Sequence, residues 1–253
     1  MSLEGKTVVI TGAAGGMGRV ASRKFCEEGA SVLGADRNEE GGRKLEKELR
    51  ADGLDFEFRK TNVAVSKEVD ALAAHAKEKF STLDVLVNAA GIILGRHVLE
   101  TTEDEWDLLH DANVKGAFLM TKAMVPFMRK GKASIVNISS VGGVIGIANM
   151  SAYGAAKAGV AHFSKACAVD LTPDIRVNAI LPGLIDTPMS RGFIEALPED
   201  QREAVWQGFA GQHLLNRVGE PEEVVSLIVY LASDEASFIT GAAITVDGGW
   251  TTQ

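Results

Sequence analysis

The sequence predicts an α/β fold, a doubly wound parallel sheet with helices on both faces. Short apolar runs recur along the chain, and helix-patterned stretches fill the intervals between them. The first run breaks at a cluster of glycines that opens directly into a helix. Gly12, Asp36, Asn88, Ser140 and Pro182-Gly183 all stand at or just beyond the ends of such runs. In a sheet of this class, ligands lie outside the carboxyl ends of the strands, so these positions converge on one site.

In order, Thr7–Ile10 suits a central parallel strand. It leads into Thr11-Gly12-Ala13-Ala14-Gly15-Gly16-Met17-Gly18 and a helix to about Glu28. A Gly-rich turn there lets backbone amides approach a pyrophosphate, although a flexible turn is the bland alternative. Ala30–Ala35 is the second strand and ends at Asp36, near the place where an acidic residue holds the adenosine ribose hydroxyls. A carboxylate there repels a 2′-phosphate and favours NAD over NADP, whereas Arg37 could pair with that phosphate. A helix follows from about Glu39 to Asp52, then a strand at 55–60 and a helix at Ser66–Phe80 with Ser66 as its N-cap. Leu83–Asn88 is a strand closed by the small residues Ala89-Ala90-Gly91, across which a cofactor can lie. Thr102 caps a helix to about Arg129, kinked or ended by Pro126. The strand from Ala133 or Ser134 to Ile138, the helix Ser151–Leu171 and the strand Ile175–Leu181 complete the series, and Pro182-Gly183 breaks the last strand.

Composition narrows the class. The chain has 253 residues, 46% hydrophobic and 24% charged, enough for one sizeable core and too apolar for disorder. One Rossmann-type domain over 1–253 is expected. A net charge of −8 disfavours nucleic acid or an anionic membrane surface as partner. The uncharged run 133–156 contains four Ser, two Asn, four Gly and a Tyr, which reads as strand, loop and helix start rather than a membrane span. Cys26 and Cys167 form no framework, which fits a reducing, cytoplasmic setting, with Cys167 as a core residue. The start, Met1-Ser2-Leu3, runs straight toward a strand, so no signal peptide is expected. The five His show no ligand spacing, so no catalytic metal is implied.

Tyr153 and Lys157 lie one helical turn apart on a common face. A phenol with a pKa near ~10 is a poor acid or base at neutral pH, and an ammonium beside it favours the phenolate. Reaching ~7 takes about 4 kcal/mol, more than one solvated Lys supplies, so a cofactor's positive charge or a second donor must help. Ser140 at a strand end adds a hydroxyl suited to a carbonyl or alcohol oxygen.

Together these residues resemble the short-chain dehydrogenase/reductase family over essentially the whole chain. The motifs run in order: Thr11-Gly12 with Gly16 and Gly18, Asn88-Ala89-Ala90-Gly91, Asn113, Ser140, Tyr153 with Lys157, Pro182-Gly183, and Val246-Asp247-Gly248-Gly249. The resemblance implies a seven-stranded Rossmann sheet and hydride exchange between a nicotinamide and a carbonyl or alcohol carbon. It implies that Tyr153 is the general acid/base, that Ser140 holds the substrate oxygen and that Asn113 anchors a water in a proton relay. By the same resemblance Lys157 binds the nicotinamide ribose and lowers the Tyr153 pKa, and Thr187 contacts the carboxamide. The cofactor set so implied comprises Gly12, Gly15, Gly16, Met17, Gly18, Asp36, Arg37, Asn62, Val63, Asn88, Ala89, Ala90, Gly91, Tyr153, Lys157, Pro182, Gly183, Ile185 and Thr187. Asn62 replaces the usual Asp before Val63, and its amide oxygen can still accept from the adenine amine. Ala89 replaces a second Asn. The family further implies a homotetramer or homodimer, with the apolar Tyr/Lys helix and the 246–253 end at interfaces.

Residues 188–215, with Met189, Phe193, Ile194, Leu197, Trp206, Phe209, Leu214 and Leu215, read as a substrate lid for an apolar or alicyclic molecule. The plain alternative is that half of them pack the segment onto the sheet. Arg129, Lys130 and Lys132 could meet an acidic carrier protein or form a solvated loop. The leading expectation is an NAD(H)-dependent alcohol dehydrogenase or ketoreductase acting on a small molecule. Its rivals are a 3-oxoacyl-carrier-protein reductase, a role that goes with NADPH, and a catalytically silent dinucleotide-binding scaffold.

Overall fold

A computed structural model describes residues 3–252. Met1, Ser2 and Gln253, the outer ends of the expected leader-free start and C-terminal contact segment, lie outside the described residues. Seven strands form one sheet: β1 (Thr7–Thr11), β2 (Ser31–Asp36), β3 (Phe56–Lys60), β4 (Val85–Asn88), β5 (Ala133–Ile138), β6 (Ile175–Pro182) and β7 (Ala243–Val246). Their order is β3-β2-β1-β4-β5-β6-β7, and every pair is parallel. The order reverses between β1 and β4, which opens a crevice at their carboxyl ends.

Nine α-helices cover the sheet among the described residues: α1 (Gly16–Glu27), α2 (Glu39–Ala51), α3 (Ser66–Phe80), α4 (Glu103–His110), α5 (Gly116–Met124), α6 (Ser151–Leu171), α7 (Pro188–Glu195), α8 (Glu199–Gln212) and α9 (Pro221–Ala232). Alternate strand residues feed the two faces, as a pleat of period two requires. Val8, Ile10, Val85 and Val87 pack with Phe25 of α1, Leu45 of α2 and Ile228 of α9. Val9, Leu33 and Leu86 pack with Leu72 of α3, Met120 of α5 and Ala168 of α6. Both sheet faces are therefore dry, which is why the central strands read as unbroken apolar runs.

Local signals account for most boundaries. Thr102 accepts from Glu105 N while the Glu105 carboxylate accepts from Thr102 N, a capping box that starts α4. Pro126 lies in a 3-10 turn at Val125–Phe127 that ends the long helical stretch. Ser66 is not a cap: Val65 holds the N-cap position of α3, and Ser66 is already helical and bonds Asp70. Asn38 is the cap the sequence pattern did not expose, accepting from Gly41 N ahead of α2. Residues 188–212 hold α7 and α8 where only a patternless segment was legible. Pro182 closes β6 rather than breaking it, since it pairs with Val246.

In the basic group before β5 the side chains of Arg129, Lys130 and Lys132 are all exposed, and Arg129 is the one tied to the sheet. Arg129 Nε donates to Asp84 Oδ1 at 2.5 Å, and Asp84 Oδ2 accepts from Thr7 N and Thr7 Oγ1, each at 3.0 Å. Lys130 pairs with Asp174. Burial alone raises the Asp84 carboxyl, but the Arg129 and Thr7 hydrogen bonds outweigh it and hold the pKa below the ordinary value. The stability this gives is complete above the unfolded-state pKa of about 3.9 and is lost as pH falls through the lower folded value. Asp84→Asn should therefore cost about 2 kcal/mol at neutral pH and flatten the acid limb of a stability–pH curve measured by urea unfolding.

Candidate active site

A cleft opens at the carboxyl ends of β1 to β4, where a doubly wound sheet holds its ligand. Gly12, Gly15, Gly16, Met17, Gly18, Asp36, Arg37, Asn62, Val63, Ala89, Ala90, Gly91 and Thr187 line it, all of them expected from the sequence. Ala35, Thr61, Ile92, Ala112 and Met189 also line it; all but Thr61 are apolar, and no motif in the sequence marks the five as a set.

The glycine loop has steric reasons for its composition. Gly12 has φ +70, and a Cβ there would meet the Ala89 and Ala90 backbone at 2.8–2.9 Å. A Cβ at Gly18 would lie 2.1 Å from Gly12 O, and one at Gly16 would lie 2.6 Å from the Thr187 Cβ. Gly15 is the N-cap of α1 and supplies no side chain, so the first-turn N–H groups stay open toward the cleft. At the far end Asp36 accepts from Ala14 N at 3.1 Å and from Asn38 N at 2.9 Å, which leaves lone pairs for a diol. It both begins the turn into α2 and faces the cleft. Arg37 is exposed there and makes no hydrogen bond or ion pair among the described residues. Asn62 Oδ1 accepts from Ala64 N at 3.1 Å, and one lone pair remains. A Gly-walled pyrophosphate cradle at a helix N-terminus, with a carboxylate at the next strand end, fits a dinucleotide.

The four residues expected to carry the chemistry follow on from the cleft wall at Gly91: Asn113 and Lys157 lie beside it, Lys157 neighbours the Tyr153 ring, and Tyr153 neighbours Ser140. Gly91 is the shared wall: a Cβ on it would stand 2.5 Å from Asn113 Oδ1 and 3.3 Å from Lys157 Nζ. Asn113 sits in a π-helical turn (Asp111–Lys115) between α4 and α5. It is clamped by Nδ2 donating to Ile92 O at 3.1 Å and Leu109 O at 2.9 Å, while Oδ1 accepts from Ile92 N. Ser140 Oγ accepts from Gly142 N at 3.1 Å, so its own hydrogen is free to donate toward Tyr153. Ser140 Oγ, Tyr153 Cε1 and Ile147 Cδ1 surround one side of Gly142.

Electrostatics differ from the expectation in one respect. Burial raises the Tyr153 phenol above its ordinary value, and only the Ser140 hydrogen bond pulls it down. Lys157 does not lower it in the protein alone. Its Nζ donates to Ile138 O at 3.0 Å and lies 5.8 Å from the Tyr153 ring centroid. Desolvation lowers the lysine itself to about 8, which weakens its positive charge near neutral pH. A further positive charge is needed before the phenolate becomes accessible, in line with the ~4 kcal/mol requirement.

Four residues of the expected cofactor set, Asn88, Pro182, Gly183 and Ile185, do not line the cleft. Asn88 is buried with its side chain turned along the sheet, donating to Asn137 Oδ1 at 2.8 Å; Asn137 in turn donates to Ser164 Oγ. Gly183 N is bonded to Val246 O, and Ile185 borders a separate hollow with His213, Asp247 and Gly248. Pro182, paired to β7, ends the strand that carries Thr187 toward the cleft.

His213, which carried no sequence signal beyond its residue type, anchors α8. Its Nδ1 hydrogen bonds Phe209 O at 2.8 Å, its Nε2 accepts from Leu184 N at 3.2 Å, and its ring rests on Trp250. In the expected lid, Ile194 is buried while Met189, Leu214 and Leu215 are exposed. Arg191 pairs with Asp186, and Arg217 with Glu223. Burial pushes Cys26 up to about 12 and Cys167 up to about 11, so neither is a thiolate at neutral pH.

Comparison with known proteins agrees with this geometry. A family model described as enoyl-(acyl carrier protein) reductase matches residues 12–251. The 3-oxoacyl-(acyl-carrier-protein) reductase FabG of Thermotoga maritima is 41% identical over 253 residues, covering 98% of this chain and 99% of that one. Cyclopentanol dehydrogenase of a Comamonas species is 40% identical over 252 residues, covering 97% of each. The crystal structure of a short-chain dehydrogenase/reductase (glucose/ribitol dehydrogenase) from Brucella melitensis superposes with a TM-score of 0.90 at 30% identity, covering 99% of both chains.

Proposed function

The chain belongs to the short-chain dehydrogenase/reductase family, an enzyme family acting on CH–OH donors, and on that premise we propose an NAD(H)-dependent dehydrogenase that interconverts an apolar, alicyclic secondary alcohol and its ketone. The observation that carries this reading is a run of neighbours leading from the cleft wall at Gly91, through Asn113 and Lys157, to Tyr153 and Ser140. A bound nicotinamide supplies the hydride donor or acceptor. Ser140 donates its hydrogen to the substrate oxygen and orients it beside Tyr153. In reduction the Tyr153 phenol gives its proton to that oxygen, and in oxidation the phenolate takes the proton back. Lys157 holds a ribose hydroxyl, and the Asn113 region passes protons toward solvent.

The substrate class rests on the walls beyond Tyr153. Ile147 lies beside the Ser140–Tyr153 pair, and the Phe193 ring packs on Gly95 next to Met150. The nearby Arg96 and Arg191 are each paired, with Glu105 and Asp186, which takes these two cations from a substrate carboxylate or phosphate. The cyclopentanol dehydrogenase relative supports the same class. We assign α7 and α8 as the segment covering the substrate.

A second reading, reduction of a 3-oxoacyl thioester, is favoured by the 41% identity to the Thermotoga reductase. Asp36 weighs against it, because a carboxylate at the ribose repels the NADPH phosphate. Steady-state assays of NADH and NADPH consumption with cyclopentanone, cyclohexanone and acetoacetyl thioester decide between them. Thioester turnover with NADPH alone would sink the first reading, and no turnover of any substrate would favour a silent dinucleotide-binding protein. Asp36→Asn keeps an acceptor for Ala14 and Asn38 but removes the charge. It should raise the NADPH/NADH ratio of kcat/KM by about tenfold or more, and an unchanged ratio would remove Asp36 as the selector.

Exposed Trp106, Leu108, Phe118 and Val169 on α4, α5 and α6 support a homodimer or homotetramer, to be measured by light scattering. No helix among the described residues is long and apolar enough to cross a membrane. The two free, buried cysteines support a reducing, cytoplasmic setting.

A further inference from the structure

Three consecutive residues at the end of β5 hold one turn of α6. Ile138 O accepts from Lys157 Nζ at 3.0 Å. Ser139 Oγ donates to the backbone carbonyl of Lys157 at 2.6 Å. Ser140 lies beside the Tyr153 phenol and lowers its pKa. Lys157 is thus gripped at both ends, ammonium and carbonyl, by residues adjacent in sequence. An interior helix carbonyl already takes an N–H from four residues on, so the Ser139 bond uses its second lone pair and is not required to build the helix. Ser139 is 3% exposed and Lys157 6% exposed, so water does not compete for either bond.

The backbone contact beneath these bonds is unusually close. A Cβ at Gly143 would lie 2.8 Å from Lys157 C and Ala158 N, and one at Gly154 would lie 2.8 Å from Gly142 O. The turn carrying Ser140 therefore lies main chain against main chain on the stretch of α6 that carries Tyr153 and Lys157. Glycine allows this approach but cannot fix its register along the helix axis. A directional bond can.

We propose that Ser139 is a positioning residue of this site, its hydroxyl locking Lys157 along the α6 axis and so fixing the spacing of Ser140, Tyr153 and the lysine ammonium. The proposal rests on the dehydrogenase reading given above. A displacement of about 1 Å at a reacting centre costs on the order of 100-fold in rate, so loss of this lock should appear in kcat before it appears in the fold.

The test compares wild type, Ser139→Ala and Ser139→Thr. Each is measured for thermal midpoint, NADH affinity by fluorescence, the pH profile of cyclohexanone reduction, and the titration of lysine 13Cε resonances in cofactor-free protein. In wild type one buried lysine should titrate at about 8. In folded Ser139→Ala, water reaches the loosened side chain and this titration should move toward the ordinary value of about 10.4. Its kcat should fall by about ten- to a hundredfold with a displaced pH profile, and Ser139→Thr, which keeps the hydroxyl, should recover most of both. Wild-type kcat, pH profile and lysine titration in folded Ser139→Ala would overturn the proposal, whatever the change in thermal midpoint. If wild type turns over none of the substrates, the dehydrogenase reading fails separately. The lysine titration then still decides whether Ser139 positions Lys157: a moved titration supports it and an unmoved one overturns it.

Discussion

Tyr153→Phe should lower kcat for ketone reduction by about 10³-fold, within the range of about 10²–10⁴ for loss of a general acid, while NADH affinity and thermal midpoint stay close to wild type. The reason is local. The phenol lies beside Ser140, which lowers its pKa, and on the proposed reading its oxygen carries the transferred proton. Burial raises its pKa, so the neutral phenol is the resting form, and removing one oxygen leaves the ring packing on Ile147 and Gly142 in place. Stopped-flow traces with excess cyclohexanone separate the outcomes. A lost hydride-transfer phase with normal NADH binding supports proton donation by Tyr153. Turnover within tenfold of wild type would remove Tyr153 from the chemistry and shift attention to Ser140.

Lys157→Met should abolish most activity and yet stabilise the protein. Desolvation lowers the lysine to about 8, so keeping it charged at neutral pH costs folding free energy. Against an unfolded value of about 10.4 the cost is about 3 kcal/mol, at about 1.4 kcal/mol per pKa unit. Losing the hydrogen bond to Ile138 O returns about 1 kcal/mol, so a net gain of about 2 kcal/mol is expected at pH 7. The sign follows from proton binding. Between the folded and unfolded pKa values the unfolded chain holds more protons, so wild-type stability rises with pH there. The advantage of Met should therefore be full below about 8 and shrink as pH climbs toward about 10.4. Urea unfolding at pH 7 and pH 10 measures it. A less stable Lys157→Met at pH 7 would mean that the ammonium is better solvated than its burial implies. The lysine is a site where function is held at the expense of stability.

Much of the fold was legible because its signals are local. Buried parallel strands favour short apolar runs, and Val8–Ile10 of β1, Val85–Val87 of β4, Ile135–Val136 of β5 and Ala179–Leu181 of β6 supply them. Thr102 with Glu105 is a capping signal within four residues. Tyr153 and Lys157 needed only helix geometry to be placed together. Other features lacked such a signal. Asn38 caps α2 and Ser66 does not cap α3, because a cap is decided by where the chain turns, and either polar residue matches the pattern. Asn88, read as a cofactor contact, turns along the sheet because Asn137 on the neighbouring strand offers a partner in register. Nothing in the order of residues announces that pairing across 49 positions. His213 was one of five histidines without spacing, and its role depends on Leu184, Phe209 and Trp250 arriving from three separate segments.

By itself the sequence determined the fold class, the glycine turn, the acidic residue at the end of β2 and the identity of the Tyr/Lys pair. Each rests on backbone geometry or on spacing within one helical turn. Only the tertiary structure decided what those groups are worth. It turned Lys157 toward Ile138 O, desolvated the Tyr153 and Lys157 side chains enough to move their pKa values, and set Ser139 on the lysine carbonyl. Desolvation and hydrogen-bond direction arise from packing between distant segments, and that packing does not exist until the sheet and its helices have closed on one another.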